Sequence, residues 1–180
     1  MQEPQRALVV VVMGVSGSGK TTIGAALARR LGWNFQEGDE LHPAENVAKM
    51  RAGIALGDED RVPWLHAVAA RIDQWRERGE AGVITCSALK RRYRDVIVGE
   101  RPEVRLVHLT APPALIAERL AGRRGHFMPA SLLESQLAAL EPPGPDENVL
   151  TVSVDAPVET VVGHIAAALT PFNSKGGTIG

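Results

Sequence analysis

Residues Gly14-Val15-Ser16-Gly17-Ser18-Gly19-Lys20-Thr21 satisfy every fixed position of the spacing G-x-x-x-x-G-K-[ST]. That pattern holds phosphate. Glycines let the backbone curl until successive N–H groups face an anion, and a following helix adds the positive end of its dipole. Lys20 then reaches toward the β- and γ-phosphates of a nucleotide, and the Thr21 hydroxyl is suited to ligating Mg²⁺. Thr22 either begins the buried part of the helix or supports the phosphate shell. Such a loop requires a strand before it and a helix after it. Residues 7–13 form an unbroken apolar, mostly β-branched run, as in a central parallel strand, while Ile23, Leu27 and Leu31 recur at helical spacing before Gly32.

Two further groups of residues could do chemistry with a bound phosphate. The first is the polar cluster Glu37-Gly38-Asp39-Glu40-Leu41-His42, which follows the short strand-like segment 33–37. In a parallel sheet the carboxyl ends of all strands share one edge, so this cluster faces the phosphate loop, where a phosphate acceptor would sit. Behind it lies a stretch at 43–62, rich in charge (Lys49, Arg51, Asp58, Asp60, Arg61), that reads as a substrate-covering insertion. The second is a glycine-hinged basic segment, about 120–130, containing Arg123, Arg124 and His126. With Arg119 four residues before Arg123 on one helical face, it is expected to form a lid closing over developing phosphate charge. Ser87 fits a helix N-cap, and Lys90 and Arg94, one turn apart, fit an anion site at the same helix start; both readings stand.

The elements that must position these groups alternate regularly. Strand-like runs fall at 7–13, 33–37, 82–86, 104–109 and 149–154. They are separated by a helix carrying Ile23, Leu27 and Leu31, one after Pro63 that ends near Gly79, one that opens at Ser87, one from Pro112-Pro113 carrying Leu115, Ile116, Arg119 and Leu120, and one at 131–140. A last helix runs from 157 to 169. This is an α/β chain with a five-stranded parallel sheet and helices on both faces. The long central helix is expected to follow Pro63. Trp64 and Trp75 fall at its core positions, and Gln136 falls away from the apolar side of its own helix. His66 and His108 sit on core-type elements. One domain over 1–172 is expected, followed by a flexible tail at 173–180.

Composition narrows the class. The net charge of −1 carries no basic stripe, which argues against nucleic acid as a partner. The apolar run at the start is too short to span a bilayer, and the single cysteine, Cys86, fits a reducing compartment, so a cytoplasmic protein is expected. No N-K-x-D segment announces guanine, and the third strand ends Thr85-Cys86-Ser87 rather than in the Asp-Glu of an ATP-driven motor. A small-molecule kinase fits best. A regulatory module that binds ATP without transferring it would need neither an acidic acceptor cluster nor a basic lid.

At this point the residues carry a resemblance. The chain resembles the bacterial gluconokinases, phosphate-loop enzymes that phosphorylate D-gluconate with ATP. The resemblance covers roughly Val9 to Leu169. It rests on Met-Gly-Val-Ser-Gly-Ser-Gly-Lys from Met13, Gly-Asp-x-Leu-His-Pro from Gly38, Lys49-Met50, Asp-x-Asp-Arg-x-x-Trp-Leu from Asp58, Cys-Ser-Ala-Leu-Lys-x-x-Tyr-Arg from Cys86 and Gly-His-Phe from Gly125. Related shikimate and adenylate kinases lack the Leu-His-Pro and Cys-Ser-Ala-Leu-Lys segments. The resemblance implies a nucleoside-monophosphate-kinase-like fold with a mobile lid, ATP and Mg²⁺ as cofactors, transfer to the 6-hydroxyl of gluconate, and a homodimer. Within it, Lys20, Arg119 and Arg123 would stabilise the transferring phosphoryl group, and Asp39 would orient the acceptor hydroxyl and receive its proton. Glu37 would stand near the Mg²⁺ shell with Thr21, directly or through water. The gluconate pocket would draw on Asp39, His42, Lys49, Asp60, Arg61, Lys90, Arg94 and His126. Arg61 or Arg94 is the expected carboxylate anchor, because a guanidinium clamps a carboxylate through paired hydrogen bonds.

Overall fold

In a computed structural model of the chain, which describes residues 7–122 and 130–173, five parallel strands run in the order β2-β3-β1-β4-β5. The strands are β1 (Val9–Met13), β2 (Asn34–Glu37), β3 (Gly82–Thr85), β4 (Val104–Thr110) and β5 (Leu150–Ser153). β1 lies between β3 and β4, so the order reverses at β1, and the crevice beyond its carboxyl end is the natural ligand site. The phosphate loop occupies that end. Every residue of β1 is buried, which is why its sequence is continuously apolar rather than alternating.

The helices are α1 (Lys20–Leu31), α2 (Ala44–Arg51), α3 (Asp58–Arg78), α4 (Arg91–Val98), α5 (Pro113–Ala121), α6 (Ala130–Ala139) and α7 (Val158–Asn173). They cover both faces of the sheet. Val10 and Val12 of β1 pack with Ile23 and Leu27 of α1 and with Val162 and Ile165 of α7. Val9, Val11 and Met13 face the opposite way, onto Trp64, Val68 and Ile72 of α3 and Ile97 of α4. A third, smaller cluster joins Val15 of the phosphate loop to Leu89, Ile116 of α5 and Leu133 of α6. This last cluster couples the loop to the two helices on either side of residues 123–129.

Two helix starts differ from expectation. α3 begins at Asp58 and carries Pro63 inside it, because the Asp60 carboxylate accepts the Gly57 N–H at 2.9 Å and caps the helix five residues before the proline. α4 begins at Arg91, preceded by Ala88 at a φ of 46°, so Ser87 is not its N-cap. The expected lid falls largely on residues outside those described, including Arg123 and His126. The tail beyond residue 173 also lies outside them.

Candidate active site

The phosphate loop is built for an anion. Gly17 and Gly19 have φ of 81° and 91°, and alternation of ordinary and left-handed backbone gathers successive N–H groups into a concave nest. Ser18 is fully buried, and its Oγ donates to the Val15 carbonyl at 2.7 Å, closing the turn from within. Lys20 Nζ donates to the carbonyls of Gly14 and Val15 at 3.0 and 3.1 Å, so the ammonium lies along the loop. Among the described residues the N–H groups of Gly17, Gly19, Thr21 and Thr22 make no backbone hydrogen bond and remain available to a phosphate. Thr22 is exposed in the first turn of α1, which favours its phosphate-shell reading over burial.

The acceptor side is held close by the end of β2. Glu37 accepts from Thr21 Oγ1 at 2.7 Å and from Thr85 Oγ1 at 2.5 Å, so the two groups expected near Mg²⁺ are in contact. One hydroxyl and one carboxylate are oxygen donors of the kind a hard divalent ion takes, and they would hold Mg²⁺ here. No cluster of three or more His, Cys, Asp or Glu side chains able to cage a metal occurs among the described residues. Gly38 follows, its N–H donating to Thr85 Oγ1 at 3.0 Å and its carbonyl accepting from Trp64 Nε1 at 2.8 Å. A Cβ there would lie 1.8 Å from the Thr85 carbonyl oxygen, so only glycine allows this approach. The contacts pin the 3₁₀ turn Gly38–Leu41 and therefore Asp39, whose exposed carboxylate makes no side-chain hydrogen bond among the described residues.

The other candidates divide sharply. His42 stacks on Trp64 with ring centroids 4.3 Å apart, and its Nδ1 is 3.2 Å from Asn46 Nδ2. Burial lowers its pKa, the Asp39 charge acts in the opposite direction, and the Arg61 charge adds to the lowering, which places both residues within electrostatic range of the ring. Lys49 and Asp60 are bonded to each other at 2.7 Å, and Lys49 with the Gly57 N–H holds the Asp60 carboxyl below its usual range. Lys90 donates to Asp58 at 3.0 Å, and the same carboxylate is gripped by Tyr93 and Arg92. These donors, Tyr93 first, depress the Asp58 pKa to about 2. Arg61, Lys90 and Arg92 ring the Tyr93 aromatic face at 5.7, 5.8 and 5.7 Å. Arg61 has no carboxylate bonded to it among the described residues.

Arg94 is corrected. It is 1 % exposed, and all five of its donors are consumed by Glu147, by the carbonyls of Ala88 and Leu89, and by the carbonyl of Glu141. It is a structural latch and not an open anchor for a substrate carboxylate. The anion site at the start of α4 is likewise filled from within, because Glu141 Oε1 accepts the Arg91 N–H at 3.0 Å. Arg119 donates to the Val154 carbonyl at 2.9 Å and ties α5 to the end of β5. His108 is buried and structural, as expected, whereas His66 is exposed on α3. Cys86, also buried, has its thiol pushed up to about 12, and is inert.

Comparison with known proteins decides the family. The chain is 50% identical over 162 residues to a gluconokinase of Gluconobacter oxydans (strain 621H), spanning 88% of this chain and 91% of the relative. The chain belongs to the gluconokinase family. The thermosensitive gluconokinase of Escherichia coli (strain K12) is 43% identical over 160 residues, covering 88% of this chain and 86% of its own length. A crystal structure of a gluconokinase from Sinorhizobium meliloti 1021 superimposes with a TM-score of 0.83 at 43% identity, over 93% of this chain and 94% of that one. Residues 9–143 match the model of an AAA domain. Thr85, Arg92 and Gln136 also contact the residues of the site, although the sequence offered no sign of it, and Asp58 and Trp64, which belong to the Asp-x-Asp-Arg-x-x-Trp-Leu segment, join them through the Lys90 and Gly38 contacts. Trp64 reads as core because it is core; only its indole N–H, aimed at Gly38, adds the second role.

Proposed function

We propose that the protein transfers the γ-phosphoryl group of ATP to the 6-hydroxyl of D-gluconate, giving 6-phosphogluconate and ADP. The observation that carries the acceptor half is a sorting of charges. Glu37, Lys49, Asp60, Lys90 and Arg94 are all hydrogen-bonded to other residues, while among the described residues the Asp39 carboxylate has no side-chain hydrogen bond and Arg61 has none beyond its place over the Tyr93 ring. Gluconate has a hydroxyl at one end and a carboxylate at the other. A free carboxylate and a free guanidinium match those two ends.

In this reading Asp39 accepts a hydrogen bond from the 6-hydroxyl and takes its proton as the oxygen attacks phosphorus. Arg61 clamps the substrate carboxylate, and the Lys90–Arg92–Tyr93 group adds positive potential behind it. Lys20 leaves the loop carbonyls for the β- and γ-phosphates, and Arg119, with Arg123 outside the described residues, supplies further positive charge. Thr21 and Glu37 would hold Mg²⁺, which when bound neutralises charge on the phosphates. His42, stacked on Trp64, shapes the wall beside Asp39. Support comes from family membership together with one carboxylate, Asp39, and one guanidinium, Arg61, that both act on the His42 ring.

A coupled ADP-release assay over D-gluconate, shikimate and nucleoside monophosphates tests the proposal. Turnover with gluconate alone is expected. Turnover with shikimate or a nucleotide, and none with gluconate, would overturn it.

A further inference from the structure

Gln136 lies on α6, 120 residues along the chain from the phosphate loop, yet its amide is bonded to the loop at both ends. Oε1 accepts the Ser16 backbone N–H at 2.6 Å, and Nε2 donates to Ser16 Oγ at 3.0 Å. A carboxamide donates and accepts at the same time from one planar, uncharged group. Lysine or glutamate in its place would add a charge beside the triphosphate. The neighbouring packing points the same way, since Leu133, one turn earlier on α6, shares a buried cluster with Val15 and Ile116. On the other flank, a Cβ at Gly17 would lie 2.8 Å from Leu120 of α5, so the apex of the loop is seated between two helices.

We propose that Gln136 is a positioning residue of the nucleotide site, clamping the phosphate loop from outside at Ser16. Lys20 bonds Gly14 and Val15, Ser18 bonds Val15, and Gln136 bonds Ser16, so the first half of the loop is fixed before any nucleotide arrives. The N–H groups left over, those of Gly17, Gly19, Thr21 and Thr22, are thereby held in a fixed array. A preorganised loop binds more tightly, because less ordering remains to be done on association. The clamp also makes α6 part of the ATP site while leaving the gluconate end untouched.

The inference rests on the ATP-binding half of the proposed function, and its primary readout, ATP affinity, is measured without turnover. Calorimetric titration with MgATP, in the absence of sugar acid, compares wild type with Gln136→Met, which keeps the side chain's bulk and removes both hydrogen bonds. ATP affinity is expected to fall roughly 5- to 30-fold, as the loss of two ordinary hydrogen bonds implies. The thermal midpoint and the KM for gluconate are expected to stay at wild-type values. Ser16→Ala removes the Oγ contact alone and is expected to lose ~3-fold. In the Ser16→Ala background, Gln136→Met is expected to cost less than it does alone, since one of its two bonds is already gone. Unchanged ATP affinity in both single variants would overturn the proposal. So would a Gln136→Met protein in which gluconate KM, ATP affinity and thermal midpoint all worsen together. Wild-type protein that binds ATP without phosphorylating gluconate would overturn the proposed function and leave this inference standing.

Discussion

Asp39 stands out among the carboxylates of the site because nothing in the described structure bonds to it. Glu37 is committed to Thr21 and Thr85, Asp60 to Lys49 and Gly57, and Asp58 to Lys90, Arg92 and Tyr93. Donors bonded to a carboxylate favour its charged form and weaken it as a base. The Asp39 carboxylate has no such donor among the described residues, and Gly38 and Trp64 hold its backbone in place. Replacing Asp39 with Asn keeps the shape and removes the base. Steady-state kinetics of Asp39→Asn are expected to show kcat reduced by ~10²- to 10⁴-fold, with both KM values close to wild type. Near-normal turnover would assign the proton to another group. The sequence singled out Asp39 as the expected base, but it offered seven companions for the gluconate pocket without ranking most of them. What separated them was pairing: Lys49 and Asp60 are eleven residues apart and Lys90 and Asp58 thirty-two, distances along the chain that no local pattern reports.

Among the elements, the connection from α6 to β5 does more than join them. Glu141 caps the start of α4 through the Arg91 N–H, and Glu147, in the 3₁₀ turn Pro145–Glu147, binds Arg94 through both carboxylate oxygens at 2.7 and 3.1 Å. Arg94 in turn lowers the Glu147 pKa. The pair is 1 % and 7 % exposed, so removing either partner strands a buried charge. Arg94→Met is accordingly expected to lower unfolding free energy by ~3–5 kcal/mol, read from denaturant midpoints at constant slope. The gluconate KM at a permissive temperature is expected to remain as in wild type. A raised KM with unchanged stability would return Arg94 to the substrate pocket. Sequence reasoning could not make this distinction, since an arginine one turn into a helix reads the same whether a ligand or a distant glutamate satisfies it. The start of α3 was obscured for a related reason. Pro63 looks like a helix start, but the Asp60 cap, three residues before it, sets the true one at Asp58.

For the molecule as a whole, the architecture was readable because it rests on repeated local signals. The buried β-branched run of β1, the glycine-rich loop and the apolar periodicity of α1 agree with one another, and the five strands fall where the pattern placed them, within a residue or two. The strand order and the shared carboxyl edge then follow from the fold class, and they bring Lys20, Glu37 and Asp39 together. Less readable were contacts between elements far apart in the chain. Trp64 reaches Gly38 and Gln136 reaches Ser16 through single hydrogen bonds or pairs of them, and such contacts leave no periodic trace. The whole arrangement is a directed one, with the phosphate loop at the carboxyl end of β1, the Asp39 carboxylate just past the end of β2, and Arg61, Lys90 and Arg92 near the starts of α3 and α4. The proposed reaction uses one acceptor atom, the 6-hydroxyl oxygen. Incubating the protein with MgATP and D-gluconate and reading the product by ³¹P and ¹³C NMR tests this most directly. The account predicts a single phosphomonoester, with phosphorus coupling on C6, formed together with ADP. A phosphate on any other carbon, or ADP release with no sugar phosphate at all, would contradict it.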